Sequence, residues 1–508
     1  MTSLPLAQDD APGSPATLTF HGAAGTVTGS KYLLKWNKKQ ILIDCGLFQG
    51  LKALRLRNWD APPFDPAALD AVVLSHAHVD HAGYLPLLCR RGFAGPIYCT
   101  AGTADLLRVL LPDSAHLMQE EAAYANRKGY SKHHPALPLY DAADVERVFP
   151  LLRTQSYDES FSVMAGLNTL FRRAGHILGS ASVELRWGDS GRRLVFSGDL
   201  GRWDRPIMRD PDQVPAADVL LIEATYGDRL HAPDPRRHLA RVIRETAKRG
   251  GAILIPAFAV GRVQELIWTL RQLEDAGEVP TLPVYLDSPM AIDVNELYCR
   301  HPEDYDQEMA RAIKEGSCPI CCRTYHLVRT VEESKELNQR SGPMVIIAGS
   351  GMMTGGRILH HLKQRLSDPR SAVLLVGYQA EGTRGRALLE GATRLRMFGE
   401  DVPVNAQIEV IDGLSAHADQ SEILRWLSGF QTPPAQTYVV HGEPGPAQVL
   451  SQLIRDRLGW KVDVAQDGAT VPIVQRAQRA AAPEQPGQVI SPVQQSKPAP
   501  HSKAELLS

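Results

Sequence analysis

The sequence lacks two features that would assign the protein to a simple class: a strong excess of one charge and a long hydrophobic run. Lysine and arginine (55) nearly balance aspartate and glutamate (57), which gives a formal net charge of −2. The protein therefore does not bind nucleic acid through an overall positive charge, and any site for a polyanion must be a local basic patch or be assisted by metal. Because no run of 18 apolar residues occurs, and residues 1–15 lack the apolar centre of a signal peptide, we expect no membrane span and no leader.

Cysteine is also scarce and unpatterned. The seven cysteines are an odd number without regular spacing, which favours a reducing compartment, and we expect a cytoplasmic protein. Cys318 and Cys321 form one CxxC, but no second pair follows, so we interpret it as structural or incidental rather than as a metal site. No internal repeat is present, and 508 residues suffice for two or three domains.

One short stretch is exceptionally rich in metal-ligating side chains. Residues 75–81 read Ser-His-Ala-His-Val-Asp-His and follow an apolar run, 69–74, that predicts a buried strand. Imidazole nitrogens and carboxylate oxygens are the ligands that zinc takes when no thiolate is offered. One strand end cannot point all four side chains at a single ion, so we predict His76 and His78 on one metal and Asp80 and His81 on a second.

Three further polar residues follow predicted strands. Asp44 ends the strand 40–44, where its carboxylate is placed to accept an imidazole N–H and fix the orientation of a metal-binding histidine. His176 follows the strand 168–173, and Asp199 follows the strand 193–196, each beside glycine. The carboxyl ends of strands are where α/β folds build their sites.

In this order and spacing, these residues resemble the metallo-β-lactamase superfamily. The resemblance implies an α/β fold, a four-layer αββα sandwich with the metals at one rim, and two Zn²⁺ per chain. It also implies that His76, His78 and His176 bind one zinc, that Asp80 and His81 bind the other, and that Asp199 bridges the two.

Three later stretches resemble motifs A, B and C of the β-CASP nucleases within that superfamily. They are Glu223-Ala-Thr-Tyr-Gly, Leu414-Ser-Ala-His417-Ala-Asp, and His441-Gly-Glu. The likeness implies that His417 is the general acid, oriented by Glu223, and that His441 completes the second zinc. Histidine in motif C is typical of the members that process RNA, whereas the DNA-repair branch carries an apolar residue there.

Between motifs A and B, strand and helix patterns alternate, which predicts a separate parallel sheet covered by helices. In the β-CASP family this insertion is the cassette that caps the metal site. Four glycines after a predicted strand, in 349–357, leave backbone N–H groups free to approach an anion. We predict RNA-phosphate contacts in the cassette by Ser350, Gly351, Gly355, Gly356, Arg357, Arg262 and Arg384.

The predicted organisation has five parts. They are a flexible N-terminus (1–15), the first part of the metallo-β-lactamase domain (16–227), the β-CASP cassette (228–405), the second part of the metallo-β-lactamase domain (406–472) and a disordered tail (473–508). We expect Pro112 to interrupt the helix at 104–128, because proline lacks an N–H, and we expect a central helical segment at 292–315.

The predicted function is a zinc-dependent ribonuclease that hydrolyses phosphodiester bonds of single-stranded RNA, within the chain or from an end, in RNA processing or decay. A hydrolase of small esters or thioesters would not need the cassette, and a scaffold that had lost activity would not keep every ligand position. We expect single-stranded RNA as the partner and no membrane, with a homodimer left open.

Overall fold

A computed structural model describes residues 16–129, 133–188, 191–232, 234–411 and 413–473. The predicted flexible N-terminus, and the predicted tail beyond Ile473, lie outside these ranges. The strands are β1 Thr17–Phe20, β2 Tyr32–Trp36, β3 Lys39–Ile43, β4 Ala71–Val73, β5 Ile97–Cys99, β6 Leu152–Thr154, β7 Phe161–Met164, β8 Leu167–Arg173, β9 Ala181–Trp187, β10 Arg192–Phe196, β11 Val219–Glu223, β12 Ala252–Ala257, β13 Val284–Asp287, β14 Tyr325–Leu327, β15 Met344–Gly349, β16 Ala372–Leu375, β17 Arg394–Met397, β18 Glu400–Pro403, β19 Gln407–Val410, β20 Gln436–Val440, β21 Val462–Val464 and β22 Thr470–Pro472.

The α-helices in the same ranges are α1 Lys52–Leu56, α2 Val79–Ala82, α3 Leu85–Arg90, α4 Ala101–Lys128, α5 Ala142–Glu146, α6 Pro235–Arg249, α7 Arg262–Asp275, α8 Pro289–Tyr298, α9 Gln307–Lys314, α10 Val331–Gln339, α11 Ile358–Arg365, α12 Arg384–Leu389, α13 Gln420–Leu427 and α14 Pro444–Leu458. Short 3-10 turns lie at Pro66–Ala68, Phe149–Leu151 and Pro302–Asp304. In the described part of the chain, no helix is long and apolar enough to cross a membrane.

Two mixed sheets, each of seven strands among the described residues, face one another. The first has the order β22-β1-β2-β3-β4-β5-β6, and the second has the order β21-β20-β11-β10-β9-β8-β7. Alternate side chains of both sheets, such as Phe20 and Tyr32 from the first and Phe196 and Leu221 from the second, form the buried core between them. This alternation is the pattern of a sheet-on-sheet sandwich.

Helices cover the outer face of each sheet. Leu85 and Leu88 of α3 pack in the cluster that contains Val72 of the first sheet. Trp426 of α13 and Leu450 of α14 pack in the cluster that contains the outer side chains of β11 and β20. The predicted four-layer αββα sandwich is therefore confirmed.

The insertion forms a third sheet with the order β14-β13-β15-β12-β16-β19, and all of its strand pairs are parallel. The predicted parallel cassette sheet with covering helices is confirmed. Its last strand, β19, pairs with β16 over Gln407–Val410. The cassette sheet thus extends past the predicted boundary at residue 405.

Two local predictions were wrong. Pro112 does not interrupt the helix, because α4 runs unbroken through it from Ala101 to Lys128. Leu107 and Leu111 before Pro112, and Ala115 after it, are buried in the core and hold the helix there, and this packing outweighs the lost hydrogen bond. The segment 292–315 is not one helix, because Pro302 starts a 3-10 turn after α8 and Asp306 caps the start of α9.

The CxxC forms a disulfide between Cys318 and Cys321. The remaining cysteines of the described residues, Cys45, Cys89, Cys99, Cys299 and Cys322, are free thiols.

Candidate metal centre and active site

The histidine-rich stretch lies where β4 ends and the short helix α2 begins. His76 follows the strand, His78 is the residue before the first turn of α2, and Asp80 and His81 lie within that turn. A strand end followed at once by a helical turn changes the direction of successive side chains. The stretch therefore supplies side chains to two neighbouring donor sets, as expected from the number of ligand residues in it.

The first donor set joins His76, His78, His176 and Asp199, whose nearest ligand atoms all lie within 4.8 Å of one another. His78 Nδ1 is 3.1 Å from His76 Nε2 and 3.3 Å from His176 Nε2. Asp199 Oδ2 is 3.5 Å from His76 Nε2 and 3.6 Å from His176 Nε2. These residues come from three separate strand ends, which the two sheets bring together at one rim of the sandwich.

The second donor set joins Asp80, His81 and His441. His81 Nε2 is 3.0 Å from His441 Nε2, and Asp80 Oδ2 is 3.3 Å from the same His441 nitrogen. Asp199 Oδ1 is 3.3 Å from His81 Nε2, while its other oxygen faces the first set. Asp199 thus lies between the two sets, in the position predicted for a bridging ligand.

The donor chemistry fits metal ions. Several imidazole nitrogens face one another at about hydrogen-bond distance, and such nitrogens must share either protons or a cation. Asp199 Oδ1 and His176 Nδ1 are buried and lack a hydrogen-bond partner. A buried carboxylate oxygen without a donor is costly unless a cation is present.

In the first donor set and at Asp199, the electrostatics favour the protonation states that ligands need. His81 differs, because burial lowers its pKa but Asp199 and Asp80 outweigh burial and raise the pKa well above the ordinary value. Burial holds the pKa of both His76 and His176 well below its ordinary value and lowers the pKa of His78 to about 4, so these rings stay neutral near pH 7. Burial opposes ionisation of Asp199, but His441, His81 and His76 together outweigh it and hold the pKa of Asp199 well below its usual range. A neutral imidazole and an ionised carboxylate are the metal-binding forms.

Asp44 supports the second donor set from behind, as predicted from its position at a strand end. Its carboxylate is fully buried and accepts hydrogen bonds from the backbone N–H and the hydroxyl of Ser75 at 2.7 and 2.8 Å. It also lies 2.7 Å from His81 Nδ1, which leaves Nε2 directed to the donor set. Asp44 therefore holds His81 in place and does not itself join the second donor set.

His417 and Glu223 lie beside the donor sets. His417 Nδ1 is 3.3 Å from Glu223 Oε1, and Glu223 is fully buried. Glu223 is itself fixed, because its two oxygens accept from the backbone N–H groups of Leu200 and Thr225. Burial lowers the pKa of His417, but the Glu223 carboxylate outweighs it, so the pKa of His417 lies above its ordinary value.

Three residues that hydrogen-bond to the histidines of the site, or to the loop that carries one of them, were not predicted from the sequence. Thr225 Oγ1 lies 3.1 Å from His441 Nδ1, and His231 Nε2 lies 2.9 Å from the carbonyl of His417. Ser180 Oγ accepts from the backbone N–H groups of His176 and Ile177. Thr225 belongs to the motif A stretch and Ser180 lies four residues after His176, whereas His231 carries no local signal.

The cassette positions the loop that carries His176. Asp304 accepts hydrogen bonds from the Gly179 backbone N–H at 2.9 Å and from the Tyr157 hydroxyl at 3.0 Å. The Leu178 backbone N–H donates to the Tyr298 hydroxyl. On the other side, the Tyr378 hydroxyl donates to Glu443, two residues after His441. The cassette therefore contacts both ends of the site.

The residues predicted to contact RNA phosphate lie in the loops after β12, β15 and β16 or at the first residue of the helix that follows, but their arginines are engaged within the protein. Arg357 donates to Asp287 Oδ1 at 2.7 Å and to two backbone carbonyls. Arg262 pairs with Glu265, and Arg384 donates to three backbone carbonyls. These contacts favour loop-holding roles for the arginines, while Ser350, Gly355 and Gly356 form the turn between β15 and α11.

Three family descriptions match the chain in order. Residues 39–249 match the "Beta-lactamase superfamily domain", 263–388 match the "Beta-Casp domain", and 401–465 match the "Zn-dependent metallo-hydrolase RNA specificity domain". A crystal structure of a protein of unknown function from Enterococcus faecalis V583 is similar in fold, with a TM-score of 0.50 and 14% identity over 90% of this chain and all of that one.

Relatives with assigned names cover most of the sequence. Ribonuclease TTHA0252 of Thermus thermophilus is 40% identical over 89% of this chain and 99% of its own length. Transcription termination factors FttA of Methanosarcina mazei and Pyrococcus abyssi are each 32% identical over 87% of this chain and 69% of their own length.

Two sheets enclosed by helices, with adjoining His/Asp donor sets at one rim, define a metal-binding hydrolase of the metallo-β-lactamase class. With the inserted cassette and the relatives above, the chain belongs to the β-CASP family of that superfamily.

Proposed function

We propose that this protein is a zinc-dependent ribonuclease that hydrolyses phosphodiester bonds of single-stranded RNA, within the chain, from an end, or both, in RNA processing or decay. The observation that carries the proposal is Asp199 between two donor sets, with the His417–Glu223 pair beside them. The match to an RNA-specificity domain and the 40% identity to a relative named a ribonuclease support RNA as the substrate.

The proposal includes two zinc ions per chain. His76, His78 and His176 would hold one, Asp80, His81 and His441 would hold the other, and Asp199 would serve both. Zinc supplies Lewis-acid polarisation of the phosphodiester and activates water for attack near neutral pH. The neutral imidazoles and the ionised Asp199 described above are the forms this role requires.

His417 is the proposed proton donor to the leaving 3′ oxygen. Its side chain is 19% exposed, so solvent and substrate can reach it, and its Nδ1 faces Glu223. Glu223 fixes the ring orientation and favours the protonated form that a general acid needs. The products would then carry 5′-phosphate and 3′-hydroxyl ends.

The RNA strand is proposed to run past the turn between β15 and α11. Gly355 has open space where a side chain would stand, so a phosphate can approach its backbone. Ser350 supplies a hydroxyl at the same turn, which accepts from the backbone N–H groups of Thr354 and Gly355. We assign phosphate contacts to Ser350, Gly351, Gly355 and Gly356, with Arg357 and Arg384 holding the turn in place.

The direct test is cleavage of end-labelled single-stranded RNA by the zinc-loaded full chain, with DNA of the same sequence and a small thioester as competing substrates. We expect RNA products with 5′-phosphate ends, and the ladder over time separates internal from terminal cleavage. Asp199→Ala is the inactive control. Thioester hydrolysis without RNA cleavage would refute the proposal and favour a small-molecule hydrolase.

Two finer predictions accompany the proposal. A homodimer is checked by light scattering of the zinc-loaded protein, where a mass near twice that of the chain is the supporting result. A cytoplasmic location is checked by cell fractionation.

A further inference from the structure

Three cassette loops meet at the edge of the parallel sheet that faces the metal centre. β12 lies between β15 and β16, so the loops that follow these strands are neighbours. The loop after β12 reaches the centre through Gly261, whose missing Cβ would stand 4.0 Å from the His176 carbonyl oxygen. The loop after β16 reaches it through Tyr378, which donates a 2.5 Å hydrogen bond to Glu443.

Phe258 lies at the centre of this edge, directly after β12. Its side chain is 37% exposed, whereas every residue of β12 is buried. Gly261 is three residues further along the chain, so Phe258 lies within about 11 Å of it. A large apolar side chain is thus partly open to solvent at this edge of the sheet.

The ring of Phe258 rests on the backbone of the two neighbouring loops. A Cβ at Gly351 would stand 2.8 Å from two ring carbons, and a Cβ at Gly377 would stand 3.3 Å from the ring. Neither glycine has a positive φ, so the backbone conformation does not require glycine at these positions. A side chain at either position would crowd the ring, and at Gly351 it would also stand 3.1 Å from the Phe258 backbone nitrogen, so the two glycines leave the space that the ring occupies.

A fixed, exposed aromatic ring beside a phosphodiesterase centre suits stacking of a nucleobase. Stacking on an aromatic side chain is tolerant of sequence, because every base has a π face, and it holds single strands in several families of binding proteins. Isolated exposed apolar residues are common, but this ring is held by two adjoining backbones and borders the proposed phosphate-binding turn.

We propose that Phe258 is a stacking platform for one base of the RNA strand, and that Gly351 and Gly377 leave the space that its ring occupies. The proposal rests on the ribonuclease function proposed above. In addition to the residues that contact the phosphates, the site would then contain a residue that holds a base.

The test compares Phe258→Leu, which keeps apolar volume but removes the π face, with Phe258→Tyr, which restores the ring. On single-stranded RNA, we expect Phe258→Leu to raise KM by about 5- to 150-fold with little change in kcat, and Phe258→Tyr to behave as wild type. On RNA that carries an abasic site at the stacked position, the loss in Phe258→Leu should be less than about two-fold. Equal losses on both substrates would overturn the platform and assign Phe258 to loop structure.

A second readout does not depend on turnover. RNA oligonucleotides carrying 2-aminopurine at successive positions should show quenching at one position with wild type and Phe258→Tyr, and lose it with Phe258→Leu. Identical quenching profiles for all three proteins would overturn the proposal. If wild type leaves RNA intact, the ribonuclease function fails, while the quenching experiment still decides the role of Phe258.

Discussion

His417 and His441 differ in the atoms that their ring nitrogens face. His441 Nε2 lies 3.0 Å from His81 Nε2 and 3.3 Å from Asp80 Oδ2, inside a donor set. His417 Nδ1 faces the Glu223 carboxylate, and its side chain remains partly exposed to solvent. These surroundings support the roles predicted from the motifs, with His441 as ligand and His417 as acid.

We therefore predict different losses for the two alanine variants. His417→Ala should keep its zinc, lose about 10²–10⁴-fold in RNA cleavage, and largely retain hydrolysis of an activated nitrophenyl ester, whose leaving group departs without a proton. His441→Ala should bind less zinc and lose both reactions. Zinc content and both rates are measured for each protein. Zinc loss in His417→Ala would show that the two roles are reversed.

Asp44 gives a second prediction at the scale of one residue. Asp44→Asn keeps the shape of the side chain but removes the charge that faces His81 Nδ1. Groups that orient a metal-binding histidine typically contribute 10–100-fold to metal affinity, so we expect zinc affinity to fall by about that factor. Competition with a chromogenic chelator measures the change, and Asp60→Asn, at an exposed position, is the control. Unchanged affinity in Asp44→Asn would contradict the orienting role.

At the scale of elements, the 3-10 turn Pro302–Asp304 anchors the His176 loop through Asp304. Burial raises the pKa of Asp304 to about 6, although the Gly179 and Tyr157 hydrogen bonds oppose the shift. The folded protein then holds a proton between about pH 4 and 6 that the unfolded chain has released. This stabilisation is fully present below about pH 4 and is lost as the pH rises through about 6.

Asp304→Asn should remove this pH dependence. The amide can accept from the Gly179 N–H and donate to the Tyr157 oxygen, whose own proton can turn to the Ser180 carbonyl 3.2 Å away. Because no buried carboxylate forms, the variant should gain stability relative to wild type as the pH rises, by about 1 kcal/mol at pH 4.5 and up to about 3 kcal/mol at pH 7.5. Thermal unfolding at both pH values measures this, and an equal difference at both would contradict it.

The turn between β15 and α11 depends on a buried ion pair. Arg357 binds Asp287, which is fully buried and also lies 2.6 Å from both the Ser334 hydroxyl and His361 Nε2. Burial opposes ionisation of Asp287, but these partners outweigh it and hold its pKa below the ordinary value. The guanidinium is thus largely neutralised by Asp287 before any RNA arrives.

Arg357→Ala should therefore act through the fold. Removing one partner of a buried pair typically costs about 3–5 kcal/mol, so we expect a clear drop in Tm. The slope of log binding constant against log salt should stay close to the wild-type value, since a direct contact with single-stranded RNA would contribute about 0.7 to it. RNA titrations at several salt concentrations measure the slope. A slope reduced by about 0.7 with unchanged Tm would restore Arg357 as a phosphate ligand.

For the whole molecule, the metal centre joins distant parts of the chain. Its donors come from residues 76–81, His176, Asp199 and His441, which belong to both sheets of the sandwich. A ligand that binds only the folded state stabilises it by about 2.7 kcal/mol at 100 times its Kd. Metal binding should therefore stabilise the entire sandwich and not only the site.

Zinc should raise the Tm of the chelator-treated protein, and Asp199→Ala should lose most of that increase, because its carboxylate faces both donor sets. Calorimetry with and without zinc measures the increments for wild type, Asp199→Ala and the exposed-site control Asp60→Asn. An undiminished increment in Asp199→Ala would contradict its place between the two sets.

The sequence by itself determined the strands and the donor residues of this protein. Strands such as β3, β8 and β10 were predictable because local apolar runs and turns specify them. The donors of residues 76–81 were predictable because metal-binding side chains rarely cluster without use, and the order of His176, Asp199, Glu223, His417 and His441 identified the family. Each of these signals lies within a short, contiguous stretch of sequence.

Only the tertiary structure decided the features that depend on contacts between distant residues. Pro112 stays helical because the core packs on both sides of it, and the helix expected at 292–315 breaks at Pro302 to bring Asp304 against the His176 loop. The arginines of the cassette face buried carboxylates and carbonyls, and His231 lies against the carbonyl of His417. These pairings cannot be predicted from one stretch of sequence, because the partners lie far apart in the chain and come into contact only in the folded protein.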